Sequence, residues 1–167
     1  MSRRRLLFVF AFALVVLCSV PSAALAARTY NDTITGHEYF FTSTDGRFAG
    51  YATGDLPGAW NADVHHTPLC LSCTPTATIT GGSFSLATAY FLVTGSFTGG
   101  TVQVLNRGAN CRNQTFDVEG ALGNVGRWSG GSGTGTFSAI LTHYRHRVFG
   151  ICVTYGATVN GLLSLTF

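Results

Sequence analysis

The chain has 167 residues and a formal net charge of +3, with 46% hydrophobic and only 10% charged residues. Three of its ten arginines fall within the first five positions, and from residue 27 onward seven arginines face seven carboxylates, so that part is neutral. Neutrality excludes the basic field that sequence-independent nucleic-acid binding needs, and it leaves no polybasic membrane anchor.

Arg3, Arg4 and Arg5 precede an apolar run from Leu6 to Leu17, and Ser22 with Ala24-Leu25-Ala26 ends the segment in small residues. This is the pattern of a secretory signal peptide over residues 1–26. The run is shorter than the roughly 20 residues a spanning helix requires, and bulky Leu17 before Cys18 does not suit lipid attachment. The expected mature chain is a single domain, residues 27–167, secreted to the extracellular side. No lysine occurs, while Ala, Gly and Arg are plentiful, which reads as a GC-rich bacterial coding bias.

Thr33-Ile34-Thr35 and Tyr39-Phe40-Phe41 lead to Asp45-Gly46 and a second β-rich run, Arg47–Thr53, which predicts a hairpin. From Asp55 to Pro75 three prolines with Gly58 and Asn61 interrupt the pattern, predicting a long ordered loop. Strands follow over Thr76–Thr80 and Ser83–Ala87, with Gly81-Gly82 as a bulge or tight turn. Tyr90–Thr98, Gly99-Gly100 and Thr101–Asn106 read as a second hairpin, and Gln114–Leu122 as another strand. The Gly/Ser stretch 123–135 is expected to be a loop within the same fold. Thr136–Val148 is the longest predicted strand. It turns near Phe149-Gly150 into Ile151–Val159 and Gly161–Phe167, whose inward alternation to the last residue predicts a paired C-terminus.

All 21 glycines lie after residue 26, roughly 15% of that segment against a usual ~7%. Gly-x-Phe recurs at Gly46/Phe48, Gly82/Phe84, Gly95/Phe97 and Gly135/Phe137, placing a glycine and a ring on one face of a strand. That is a device of curved, closed sheets. The expected fold is all-β, a single antiparallel barrel of about eight strands, with a two-sheet sandwich as the alternative. Thr134-Gly135-Thr136-Phe137, a strand entered through glycines and followed by a hairpin, resembles the Gly-rich strand of the allene oxide cyclase and dirigent type of eight-stranded barrel. The resemblance implies a central cavity for a hydrophobic small molecule, and it transfers no catalytic residue.

Cys70, Cys73, Cys111 and Cys152 are an even number in an exported chain and read as two disulfides, with three connectivities open. The favoured pairing is Cys70–Cys73 with Cys111–Cys152. A zinc site of His65, His66, Cys70 and Cys73 is the competing reading; otherwise no metal and no cofactor is expected. On the strand containing Thr142–Arg147, His143, Arg145 and Arg147 share the face that Phe137, Ala139 and Leu141 begin, while Tyr144 and His146 share the other. In a barrel, Arg145 could clamp an anion and His143 act as acid or base, with Tyr144 beside them and Asp117 and Glu119 as charge partners. The competing reading is a solvated polar rim. Trp60 and Trp128 are candidate ligand contacts, Trp60 alternatively a lid on the core. No nucleophile elbow, phosphate loop, dinucleotide fingerprint or zinc-protease motif occurs. The leading expectation is therefore non-enzymatic binding of a small apolar or amphipathic ligand, or of a surface partner. A cofactor-free isomerase or cyclase, and an inhibitor presenting the 55–75 loop, are the alternatives.

Overall fold

A computed structural model describes residues 26–69, 75–128 and 130–167. Eight strands run up and down in chain order: β1 (Thr29–Phe41), β2 (Asp45–Gly54), β3 (Gly58–His66), β4 (Thr76–Thr88), β5 (Leu92–Asn106), β6 (Gln114–Arg127), β7 (Gly133–Val148) and β8 (Ile151–Thr166). Each pairs antiparallel with the next, and β8 returns to β1, from Thr29 opposite Thr166 to His37 opposite Thr158, closing the barrel. The Phe167 amide donates to the Arg28 carbonyl and the Arg28 amide to that of Phe167, so the C-terminus is tied as its alternation predicts. Residues 1–25, which hold most of the expected signal segment, and Cys70 and Cys73 lie outside the described residues.

Three expectations are corrected. The stretch 55–75 is not one loop, because β3 occupies its middle with Trp60, Ala62 and Val64 inward and Asn61, Asp63 and His65 outward. Gly99-Gly100 makes no hairpin. It lies within β5, whose Gly100 has φ +136° and passes so close to β6 that an added Cβ would fall 2.0 Å from the Glu119 carbonyl oxygen. A glycine there bends a continuous strand and does not reverse it. The 123–135 loop is shorter than expected, since β6 extends to Arg127 and β7 begins at Gly133. At Gly81-Gly82 the bulge reading holds: His65 pairs with Gly81 but His66 with Ile79.

The interior is filled by side chains, as small eight-stranded barrels commonly are. Phe48, Phe84, Phe97 and Phe137, the four rings of the Gly-x-Phe pairs, are all buried. Phe137 makes edge-to-face contacts with Phe97 and Trp60, both at 6.0 Å between centroids. Gly120 faces Phe137 across the β6–β7 ladder, and a Cβ there would lie 2.7 Å from Cε1 of Phe97. The missing side chain is the space the ring uses. Outward positions include the polar Thr33, Thr35, Asn61, Gln103 and Glu119, together with the exposed Tyr51, Leu105, Ile140 and Leu162.

One end of the barrel carries the β1–β2, β3–β4, β5–β6 and β7–β8 connections, and there the closure is incomplete. The β1–β8 ladder stops at His37 and Thr158. Just beyond, Tyr39 is the extra residue of a bulge in β1, and Tyr155 the extra residue of a bulge in β8. Bulges bend the strand that carries them, and these two lie in the β1–β2 and β7–β8 ladders just past the point where β1–β8 pairing ends.

Candidate functional site

The site lies at this split end. Alternation along β7 from Phe137, Ala139 and Leu141 carries His143 inward, where it is 8% exposed. Alternation along β1 from Ile34 does the same for Glu38. Where β1–β8 pairing has just ended, the two side chains meet: His143 Nε2 lies 2.5 Å from Glu38 Oε2, and the carboxylate is almost fully enclosed. The imidazole is flanked by Phe41 and Phe116, at 4.9 and 5.0 Å between centroids. Burial pushes the Glu38 carboxyl above its usual range, while the hydrogen bond and charge of His143, and then the charge of His66, pull it back.

Beside the pair is a cleft of about 60 Å³, walled by Phe41, Thr42, Leu69, Val102 and Leu141. That is room for a water or two, far below the roughly 300 Å³ at which small-molecule sites begin. The arrangement can hold a proton between Glu38 and His143. It does not enclose a substrate.

Arg145 follows His143 on the same face, beyond the mouth. Its guanidinium donates to the Gly108 carbonyl at 3.3 Å, and its backbone amide to Asn113 Oδ1 at 3.2 Å. The expected partners Asp117 and Glu119 are not there. With Phe116 and Val118 inward, both carboxylates face outward, and Glu119 accepts from Ser138 Oγ at 2.9 Å. Tyr144 and His146 take the outer face and flank the ring of Tyr155, with the Tyr144 hydroxyl 3.0 Å from that of Thr158. Trp60 is a core residue, 1% exposed, donating from Nε1 to the Thr35 carbonyl. Trp128 is exposed, but it lies in the β6–β7 turn at the opposite end, where its amide donates to Leu92. His143 and Arg145 thus share one end of the barrel but have separate partners, Glu38 and Gly108, and Trp60 and Trp128 stand apart from both.

His65 and His66 alternate across β3. His65 Nδ1 lies 2.7 Å from Asp45 Oδ1, and His66 Nδ1 lies 2.8 Å from the Thr67 carbonyl. Hydrogen bonds from Thr44, His65 and Thr42 hold the Asp45 carboxyl down at about 2. Among the described residues no three His, Cys, Asp or Glu side chains gather as a metal site. Cys111 and Cys152 form a disulfide with Cα atoms 5.6 Å apart, fastening the β5–β6 loop to the β7–β8 hairpin.

Sequence reasoning missed Glu38 as the partner of His143, although Ile34-x-Gly36-x-Glu38 in period two already points it inward. It also missed how the fold sorts charge. Arg107, Arg112, Arg145 and Arg147 all stand at the split end, and among the described residues none lies in a salt bridge. The two carboxylates at that end, Glu38 and Asp45, are each engaged by a histidine. Residues 27–167, neutral in sum, are locally cationic at this end. Comparison with known proteins gave no match to a family model, a curated protein or a solved structure.

Proposed function

We propose that this is a secreted, non-enzymatic binding protein whose barrel is a rigid scaffold and whose contact surface is the split end. The observation that carries the reading is the pairing of a filled interior with an exposed cationic and apolar rim. Trp60, Phe97 and Phe137 meet edge to face inside the barrel, which supports a contact surface at the rim. The Cys111–Cys152 disulfide is compatible with life outside the reducing cytoplasm. No helix among the described residues is long and apolar enough to cross a membrane.

The rim suits an anionic surface. Clustered charge acts locally whatever the net sum, and it is screened by salt over ~10 Å at 0.1 M. Phosphocellulose at low ionic strength tests this: the neutral protein should be retained, and an Arg107→Ser/Arg112→Ser/Arg147→Ser variant should flow through. Coelution of the two would overturn the reading. A second reading, acid–base chemistry by His143 and Glu38, draws on their buried contact, but any substrate would have to stay outside the cleft.

A further inference from the structure

The β7–β8 hairpin runs beyond the barrel wall. β6 begins at Gln114 opposite His143, so β7 has no β6 partner past that point, and β8 has no β1 partner before Thr158. Five residues of β7 therefore project by about 16 Å at ~3.3 Å per residue. The projection is fastened at its base and side. Cys152 is bonded to Cys111, and Arg145 is hydrogen-bonded to Gly108 and Asn113.

At the tip stand Val148, Phe149 and Ile151, with Phe149 101% exposed and Ile151 68%. Phe149 and Gly150 both have positive φ, +50° and +83°. Two positive φ values in a two-residue hairpin turn are the pattern that selects Asn-Gly or Asp-Gly. An aromatic side chain in the left-handed region is strained, and strain of this kind concentrates where a residue has a task. The chain holds a large ring in an unfavourable backbone conformation, fully out in water, on a braced support. On the hairpin itself His146 and Arg147 are exposed, as are Arg107 and Arg112 in the β5–β6 connection. Arg147 is opposite Cys152 in the ladder, and Arg112 follows Cys111.

We propose that this tip enters the interface of an anionic lipid bilayer, Phe149 and Ile151 sinking among the acyl chains while the arginines meet the phosphates. The proposal rests on the rim as the contact surface and names its partner. Charge complementarity favours a bilayer over an apolar pocket on another protein, because Arg147 stands two residues from the ring and the disulfide brings the loop that carries Arg112 to the same hairpin. Attachment of this kind scales with buried apolar area and with attraction to anionic headgroups.

The test is sedimentation of wild-type protein with vesicles of phosphatidylcholine alone or mixed with phosphatidylglycerol. Wild type should sediment with the anionic vesicles and be released by salt. Phe149→Asn restores the turn's preferred residue, so it should melt no lower than wild type, yet bind the anionic vesicles about tenfold or more weakly through loss of a buried ring. Phe149→Trp should be quenched by brominated acyl chains. Equal sedimentation of wild type and Phe149→Asn, or an unquenched Phe149→Trp, would overturn insertion and leave an electrostatic rim. Wild type retained on phosphocellulose but absent from the vesicle pellet would overturn the bilayer and leave the rim. Flow-through from phosphocellulose together with no sedimentation would remove both.

Discussion

Replacing the Glu38–His143 pair one member at a time, and then both together, tests how the split end is held. In His143→Phe the Glu38 carboxyl loses its partner while still enclosed, and stranding one member of a buried pair costs about 3–5 kcal/mol. Glu38→Leu leaves the His143 ring without its hydrogen-bond partner, at a cost of about 1–3 kcal/mol for an unsatisfied buried polar group. Glu38→Leu/His143→Phe leaves no polar group stranded, and between Phe41 and Phe116 a phenyl ring is at home. Because exchanging a buried pair for apolar residues is often neutral, the double variant should cost about 1 kcal/mol or less. Urea unfolding followed through buried Trp60 measures all three, with an unchanged slope as the control on two-state behaviour. The pH dependence has a definite sign. In His143→Phe the upward push of burial on Glu38 is unopposed by the imidazole, so the folded-state value stands above the ordinary 4.5. Its contribution is fully present below 4.5 and is lost as pH rises through the folded value, so this variant should be weaker at pH 7 than at pH 4. Single variants whose costs simply add to that of the double would refute a coupled buried pair.

Gly120→Ala should destabilise by about 1–3 kcal/mol, because the new methyl meets the Phe97 ring; a thermal melt equal to wild type would show that the ring yields. Removing the disulfide with Cys111→Ser/Cys152→Ser reopens a 41-residue separation, worth about 4 kcal/mol in the chain-entropy estimate and read by denaturant unfolding. Asp32 is buried with Oδ1 accepting from the Leu56 amide at 2.8 Å and Oδ2 unpartnered. Burial raises its carboxyl, the Leu56 hydrogen bond lowers it and Asp55 raises it further, the net shift being upward. A raised value gives stability that is present below the ordinary 3.8 and is lost as pH rises. Asp32→Asn, which keeps the acceptor, should therefore flatten the stability profile between pH 4 and 7. Asp32→Ala strands the Leu56 amide and should cost about 1–3 kcal/mol at either pH.

Period-two alternation carried most of the barrel, because an inward apolar residue followed by an outward polar one is what a half-buried strand requires. β3 was obscured because its outward residues Asn61, Asp63 and His65 are poor strand formers, set between Pro57 and Pro68. Its inward Trp60, Ala62 and Val64 obey the same period, so face-by-face reading would have found it. Gly99-Gly100 looked like a turn because local sequence does not say whether a glycine reverses a strand or bends one. The inward placement of His143 was legible from Phe137 onward. Its partner was not, since Glu38 is 105 residues away and meets it only through the closure of the barrel, where β1–β8 pairing has just ended. Phe149-Gly150 was legible as a turn. Its collar was not, because Arg112 comes from another loop, brought beside Arg147 by the disulfide.

The central claim is that binding happens on the rim and not inside the barrel. Titration of a dansylated fatty acid into Trp128→Phe protein tests this most directly, because Trp60, at the centre of the packed interior, is then the sole energy donor. Binding at the rim predicts that any saturable transfer is abolished by Arg107→Ser/Arg112→Ser/Arg147→Ser and unchanged by Arg145→Ala. A one-to-one complex that draws transfer from Trp60, weakened by Arg145→Ala, would contradict it and return the function to the barrel's interior.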